Sequence, residues 1–145
     1  MSNTEQTLSI IKPDAVERNL DNEIKEMFKN KGFSIVKEKK IKIEKSEAEK
    51  FYKVHETKPF YNDLCAYLSS GPIVVMILEK EGAVLANRKL MGATNPKEAE
   101  IGTIRNEFAE SIEANSVHGS DSIENAKSEI AFFFAEIELV FWILN

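Results

Sequence analysis

Cysteine and long apolar runs are both scarce in this sequence, and each scarcity excludes a class of protein. Cys65 is the single cysteine, so an internal disulfide is impossible and a reducing compartment is favoured. The apolar run at residues 139–144 is far shorter than the ~20 residues that cross a bilayer. Residues 1–6 lack the charged and then apolar pattern of a signal peptide. We therefore expect a soluble, cytoplasmic protein that does not bind membranes.

Excess positive charge is also lacking. The formal net charge is −5, so the overall charge does not attract nucleic acid, and any anion site must be a local cluster. A chain of 145 residues with 43% hydrophobic residues suits one globular domain. No internal repeat or domain boundary is visible.

Several motifs that bind phosphates or metals are missing. The sequence contains neither a Gly-x-x-x-x-Gly-Lys-Ser/Thr loop nor a Gly-x-Gly-x-x-Gly turn, so neither a P-loop nor a dinucleotide fold is indicated. A His-Glu-x-x-His motif and a cysteine pair are absent as well, so no protein-built metal site is predicted. Phosphate binding must then depend on side chains from several segments.

Apolar periodicity predicts the order strand, helix, strand, helices, strand, helix, short strand, helix. The predicted strands cover 7–12, 33–43 and 73–78, with a short strand ending near His118. The predicted helices cover 20–28, 46–55, 61–68, 83–91, 103–108 and a last long helix, whose apolar stripe is Ile123, Ala126, Ile130, Phe133 and Phe134. This order fits an α+β sandwich with helices over one antiparallel sheet.

Two local patterns refine that scheme. Residues 46–49 read as a capping box that opens a helix. Lysines 37, 39, 40 and 42 accompany the second strand, and we interpret them as a solvated sheet edge rather than a binding patch.

His118 is one of only two histidines, and its neighbours predict a position between a short strand and a turn that opens a helix. A short β-branched stretch precedes it, Gly119 follows it, and residues 120–122 are of the types that begin helices. The imidazole should lie at a strand end, where donors can converge on an anion. The alternative is a histidine that only fills a turn.

Arginine is rare, with three residues against sixteen lysines. Arg88 lies beside the long connection 92–115 and Arg105 lies inside it; the third is Arg18. The planar guanidinium binds phosphate oxygens with two bonds at once, which lysine cannot do. With Lys12 and Thr94 these arginines would form a positive cluster suited to phosphates. Structural ion pairs, and an ordinary strand-end lysine, are the alternatives.

Residues 115–123 resemble the active-site signature of the nucleoside diphosphate kinases. Further segments match that family in its order, namely 10–14, 58–61, 70–72, 92–96 and 102–105, so the resemblance runs from about residue 7 to about residue 138. It implies a ferredoxin-like βαββαβ fold with a four-stranded antiparallel sheet covered by helices. It also implies one nucleoside diphosphate kinase domain over residues 1–145, atypical at 139–145, and assembly into homotetramers or homohexamers.

The resemblance further implies a ping-pong reaction with broad base and sugar tolerance. His118 would take the γ-phosphoryl group of a nucleoside triphosphate, chiefly ATP, and pass it to a nucleoside diphosphate. A phosphorylated imidazole is reactive enough to pass the group on, whereas a serine ester would retain it. Mg²⁺ would be held by the nucleotide phosphates, without a protein ligand, and no nucleic acid is required.

The same resemblance implies a role for each site residue. Lys12, Arg88 and Arg105 would bind phosphate oxygens, Thr94 would donate to them, and Tyr52 would lie near Lys12. Asn115 would contact the ribose and Phe60 would stack on the base. Glu129 would bond the non-attacking ring nitrogen of His118, with Ser120 in the same network; the alternative for Glu129 is a solvated carboxylate. His55 is interpreted as structural.

Some positions depart from the family pattern. Ile101 replaces a proline, residues 106–107 replace a small residue and an aspartate, and Asn19 and Asn22 replace glycines. We expect these changes to affect loop rigidity and assembly rather than activity. The tail 139–145 is either a subunit contact or a frayed end. Two other functions compete with the kinase: a nucleotide-binding interaction protein without turnover, and a histidine phosphocarrier for a protein partner.

Overall fold

The computed structural model describes residues 4–136, and its framework is a four-stranded sheet. The strands are β1 (Thr4–Ile11), β2 (Ser34–Ile41), β3 (Ile73–Glu81) and β4 (Val117–Gly119). They lie in the order β2-β3-β1-β4, and every neighbouring pair is antiparallel. The tail 139–145 lies outside the described residues. Within residues 4–136, no helix is long and apolar enough to cross a membrane.

In the described part of the chain, seven α-helices connect or follow these strands. They are α1 (Pro13–Glu17), α2 (Asp21–Asn30), α3 (Lys45–Phe51), α4 (Tyr61–Leu68), α5 (Ala83–Met91), α6 (Ile104–Phe108) and α7 (Ile123–Ile130). A 3₁₀ turn, Lys53–His55, follows α3, and a π-helical segment, Ala131–Glu136, follows α7. The predicted α+β order is confirmed, and the bounds of α4 and α5 match the prediction.

The sheet is buried on both faces, each against its own set of helices. One cluster joins β1 and β3 to α1, α2 and α5, and it includes Ile11, Met76, Leu78, Ile24, Phe28 and Leu90. The other joins the opposite face to α3, α4 and the π-helical segment, and it includes Leu8, Ile10, Val75, Ile77, Leu68 and Phe133. Because both faces are covered, β1 is buried without a break from residue 7 to residue 11 and β3 from residue 73 to residue 78, and the buried part of β3 is entirely apolar.

The lysine-rich strand β2 lies at the edge of the sheet, as predicted. Its residues are mostly exposed, and a bulge interrupts its pairing with β3 between Ile35 and Lys37. Charged side chains and a bulge both protect an edge strand from pairing with other chains. The strand ends at Ile41 rather than at Ile43, although Ile43 is buried in the core.

The predicted start of α3 and the predicted burial of Ile123 are wrong. Helix α3 begins at Lys45, and its capping box uses Glu44 and Glu47, with the Glu44 amide donating to Glu47 Oε1 at 3.3 Å. The expected box at 46–49 is therefore displaced by two residues. Ile123, assigned to the buried stripe, is 52% exposed. Ile123 is the first residue of α7, and it lines a 770 Å³ cavity beside the first residues of β1, which are not buried, instead of packing into the core.

Backbone conformation explains two residues in the first connection. Gly32 ends α2 with φ +86°, a left-handed conformation that favours glycine. Asn19, which stands where glycine is common, has φ +60°. Asparagine is one of the few other residues that adopt this conformation readily, so its replacement of glycine there is consistent with the same turn.

Candidate active site

Lys12 connects β1 to the loop that precedes β4. It caps α1, where Pro13 occupies the first helical position and ends the strand, as predicted. The Lys12 amide donates to Ser116 O at 2.8 Å, and its Nζ donates to Asn115 Oδ1 at 3.0 Å. Lys12 and Asn115 are thus in direct contact although 103 positions separate them in the sequence.

The Lys12 ammonium is held in an unfavourable environment for a charge. The side chain is 6% exposed, and burial lowers its pKa from 10.5 to about 8, with the nearby Arg105 guanidinium adding to the effect. Asp14 opposes the lowering. A buried cation beside a second cation is costly unless an anion binds there, so this arrangement favours a phosphate ligand.

Arg105, in α6, connects the start of the long connection 92–115 to β4. Its Nη1 donates to Gly92 O at 3.0 Å and its Nη2 donates to Val117 O at 2.9 Å, while its buried Nε has no partner among residues 4–136. Burial, with the Arg88 guanidinium adding to the effect, lowers the pKa of Arg105 from 12.5 to about 10, so the two guanidinium groups are close enough to interact. Arg88 is exposed at the last turn of α5, and Thr94 is exposed two residues after Gly92.

His118 lies in β4 opposite Ile10 of β1, and a carboxylate holds its ring. His118 Nε2 lies 2.9 Å from Glu129 Oε1. The Ser120 hydroxyl donates to the same oxygen at 2.9 Å and accepts from the Leu8 amide at 3.2 Å. Because a carboxylate can only accept, Nε2 carries the proton and Nδ1 keeps its lone pair. The ring remains 20% exposed, so a ligand can reach it.

Aromatic rings form a row from His118 to the surface. Tyr52 is buried, and its ring centroid lies 6.4 Å from that of His118. The ring centroids of Tyr52 and His55 are 6.3 Å apart, and those of His55 and Phe60 are 6.1 Å apart. Burial, with Glu129 nearby, raises the pKa of Tyr52 well above its ordinary value, so the phenol stays neutral. Phe60 is 49% exposed, which leaves its ring available for stacking.

The structure also reveals site residues that sequence reasoning did not single out. Asp14 is buried in the first turn of α1, where its carboxylate accepts from the hydroxyls of Ser116 and Tyr67. Ser116 has φ +70°, a left-handed conformation that serine rarely adopts. In the sequence Asp14 looks like an ordinary acidic residue at a helix start, and no periodic signal marks Ser116.

The donor set suits an anion rather than a bare metal ion. No group of three or more His, Cys, Asp or Glu side chains in the described part of the chain is arranged to hold a metal. Glu129 is the carboxylate beside His118, and it is already bonded to the ring. Lys12, Arg88 and Arg105 instead form a cationic cluster around the start of β4, to which a polyphosphate with its own divalent cation would be complementary.

A comparison with known protein families identifies this arrangement. The family model described as nucleoside diphosphate kinase matches residues 5–139. The chain belongs to the nucleoside diphosphate kinase family. It is 61% identical over 136 residues to the nucleoside diphosphate kinase of Nitratiruptor sp., covering 94% of this chain and 99% of that one. The predicted family is therefore confirmed, and with it a phosphotransferase that acts between nucleotides.

Other relatives and a solved structure agree with this result. The nucleoside diphosphate kinase of Campylobacter fetus subsp. fetus is 58% identical over 135 residues, covering 93% of this chain and 98% of that one. An orthorhombic crystal form of the Aquifex aeolicus nucleoside diphosphate kinase superposes with a TM-score of 0.90 at 38% identity, covering 93% and 98% of the two chains. The predicted ferredoxin-like fold of the nucleoside diphosphate kinases is thereby confirmed.

Proposed function

We propose that this kinase transfers the γ-phosphoryl group of a nucleoside triphosphate, chiefly ATP, to a nucleoside diphosphate through a phosphohistidine on His118. The observation that carries the proposal is the contact of His118 Nε2 with Glu129, which leaves Nδ1 unprotonated on a ring that solvent can reach. A neutral imidazole with a free lone pair is already a nucleophile at neutral pH.

The first half-reaction forms an Nδ1–P bond and breaks the bond between the γ-phosphorus and its bridging oxygen, so the nucleoside diphosphate leaves. Nδ1 has no proton to lose, and the Nε2 proton stays on the ring, where the Glu129 carboxylate stabilises the positive charge. A second nucleoside diphosphate then attacks the phosphorus, the Nδ1–P bond breaks, and the imidazole returns to its original state. Each half-reaction releases a nucleotide product, which is the ping-pong pattern.

Phosphate binding is assigned to Lys12, Arg88 and Arg105, with Thr94 donating a hydroxyl. The buried, unpartnered Nε of Arg105 and the buried Lys12 ammonium both support this assignment, because an anionic ligand would satisfy them. Such fixed charges stabilise the negative oxygens of the moving phosphoryl group. Mg²⁺ enters with the nucleotide, bound to its phosphates, as part of the substrate.

Nucleoside binding is assigned to Phe60 and Asn115. The half-exposed Phe60 ring can stack on any base, because every base has a π face, and this accounts for broad base tolerance. The Asn115 oxygen accepts from Lys12, so its amide nitrogen remains to donate to a ribose hydroxyl. Tyr52, as a neutral phenol between His118 and His55, would donate near the transferred phosphate.

Assembly into a homotetramer or homohexamer is also part of the proposal, as is one kinase domain over the whole chain. Exposed apolar side chains support association: Ile101 in the long loop is 95% exposed, and Val36 lies exposed on the edge strand. A cytoplasmic location is proposed because the free, buried Cys65 fits a reducing compartment.

The test is a two-step transfer with radiolabelled ATP. The protein is incubated with γ-labelled ATP, isolated, and then given GDP. We expect an acid-labile label on the protein that moves to GTP. His118→Ala should abolish labelling, whereas His55→Ala, which removes the other histidine, should keep it.

The remaining outcomes select the competing functions. Nucleotide binding without any label would favour an interaction protein that lacks turnover. A label that GDP cannot remove would favour a phosphocarrier for a protein partner.

A further inference from the structure

Asp14 is a buried carboxylate to which the described mechanism gives no role. It is 8% exposed. Its Oδ2 accepts from Ser116 Oγ at 2.8 Å and from Arg18 Nη2 at 3.4 Å, and its Oδ1 accepts from the Tyr67 hydroxyl. The Asp14 amide in turn donates to the Tyr67 oxygen at 3.1 Å. An aspartate is rarely buried unless donors surround it, and here three side chains do so.

Two of these donors belong to segments that carry proposed site residues. Tyr67 lies on α4, whose N-cap is Phe60, the proposed base platform. Ser116 lies between Asn115 and the strand that carries His118. Asp14 therefore bonds directly to the nucleoside side and to the histidine side of the site.

The third donor extends the same network to the phosphate side. Arg18 Nη2 also donates to the carbonyl oxygen of Phe108 at 2.5 Å. Phe108 is the last residue of α6. Arg105, a proposed phosphate ligand, belongs to that helix. Asp14 itself lies two residues after Lys12, so this carboxylate links four of the segments that carry proposed site residues, the α6 segment by way of Arg18.

The contact with Ser116 has a specific consequence for the backbone. Ser116 is fully buried with φ +70°, a conformation that is unfavourable for a residue with a Cβ atom. In this conformation its carbonyl accepts from the Lys12 amide at 2.8 Å, and the preceding Asn115 side chain meets Lys12 Nζ. The hydroxyl bond to Asp14 holds the unfavourable conformation in place.

We propose that Asp14 is a positioning residue for phosphoryl transfer: by bonding Ser116, Tyr67 and Arg18, it fixes the left-handed turn that aligns Asn115, Lys12 and His118. This inference rests on the proposed function of His118. It assigns Asp14 no contact with the substrate.

The first arm of the test uses a matched pair at Ser116. Glycine adopts φ +70° freely, whereas alanine keeps the penalty and loses the hydroxyl. We expect Ser116→Gly to retain kcat within about 3-fold of the wild type and Ser116→Ala to lose about 10-fold or more. If Ser116 were needed only for stability, the two variants would differ in their free energy of unfolding, measured in urea, but the kcat of the folded protein would stay near the wild-type value in both. Equal activity of the two variants overturns the proposal.

The second arm changes the carboxylate itself. Asp14→Asn should lower kcat about 10- to 100-fold, the range seen when a supporting partner of a functional side chain is removed. The charged groups that act on Lys12 are Arg105 and Asp14, so loss of the Asp14 charge should also move the alkaline limb of kcat/KM to lower pH. Glu17→Gln removes the same charge from the exposed side of α1 and should change neither quantity. The inference is contradicted if Asp14→Asn changes neither kcat nor the pH at which kcat/KM falls on the alkaline side.

Single-turnover labelling by γ-labelled ATP separates this inference from the proposed function. If the wild-type protein takes no label, the phosphohistidine mechanism fails, whatever the variants do. If the wild type is labelled and Asp14→Asn is labelled at the same rate, only the role of Asp14 fails. Should Asp14→Asn not fold, as judged by circular dichroism, the Ser116 pair decides the question.

Discussion

Replacing Lys12 by methionine should change how stability depends on pH, because Lys12 is buried as a cation. Its pKa in the folded protein is about 8, against 10.5 as its ordinary value, a displacement that corresponds to ~3 kcal/mol. Between these two values the unfolded chain binds more protons at this site than the folded chain does. The free energy of unfolding of the wild type should therefore rise with pH in this window. Below pH 8 the lysine is charged in both states, and this gain is absent.

The measurement is urea unfolding of the wild type and Lys12→Met at equal protein concentration, from pH 7 to pH 10. All other titrating groups are common to the two proteins, so the difference between their unfolding free energies isolates Lys12. We expect this difference to move by ~2–3 kcal/mol in favour of the wild type across the window. A difference that stays constant, or that moves the other way, would refute the reasoning. Lys12→Met should also lose at least about 100-fold in kcat/KM, because a phosphate ligand is removed.

Three further predictions concern other parts of the site. Phe60→Ala should raise KM for nucleoside diphosphates about 5- to 150-fold with little change in kcat, since stacking contributes ~1–3 kcal/mol; steady-state kinetics with GDP and dTDP measure this. Glu129→Gln should slow labelling of His118 about 10- to 100-fold in rapid-quench experiments, because the ring loses its charged partner. Gly119→Ala should destabilise the fold by ~1–3 kcal/mol in urea unfolding, because a Cβ there would lie 2.3 Å from Asn87 Nδ2, and adding Asn87→Ala should restore part of the loss.

Each of these has an outcome that contradicts it. An unchanged KM for Phe60→Ala would remove the ring from the base site. Labelling of Glu129→Gln at the wild-type rate would leave the carboxylate without a role in transfer. If the Gly119→Ala loss were not reduced by Asn87→Ala, the clash would lie elsewhere, for example at Met91 Cε, 2.7 Å from the same position.

The spacing of apolar residues correctly predicted the helices and strands that are buried on one face or on both. The buried run of β3 and the apolar spacing of α4 and α5 gave correct elements, because burial alone determines these patterns. The start of α3 was misplaced because Ser46 and Glu49 show the usual Ser-x-x-Glu pattern, whereas the helix is capped by Glu44 and Glu47, and glutamate is not a preferred N-cap residue. Ile123 was misplaced because it begins α7 beside the unburied first residues of β1, and the spacing of apolar residues in α7 does not show which part of the sheet its first turn contacts.

The site was predictable where a residue type carries its own chemistry. His118 stood out as a candidate nucleophile, Lys12 as a cation at a strand end, and Arg105 as a rare arginine. The family resemblance assigned the remaining candidate site residues. The buried network around Asp14 was not predictable, because its bonds to Tyr67 and Ser116 span 53 and 102 positions and depend on the fold. The conformation of Ser116 likewise follows from its surroundings and not from its residue type.

The central claim is that Nδ1 of His118 carries the phosphoryl group between nucleotides. The most direct measurement is ³¹P NMR of the protein after exposure to ATP and removal of nucleotide, followed by addition of GDP. The account predicts one Nδ1-phosphohistidine signal, absent in His118→Ala, that disappears as GTP forms in equal amount. A phosphate on Nε2, on another residue, or one that persists after GDP is added would contradict it.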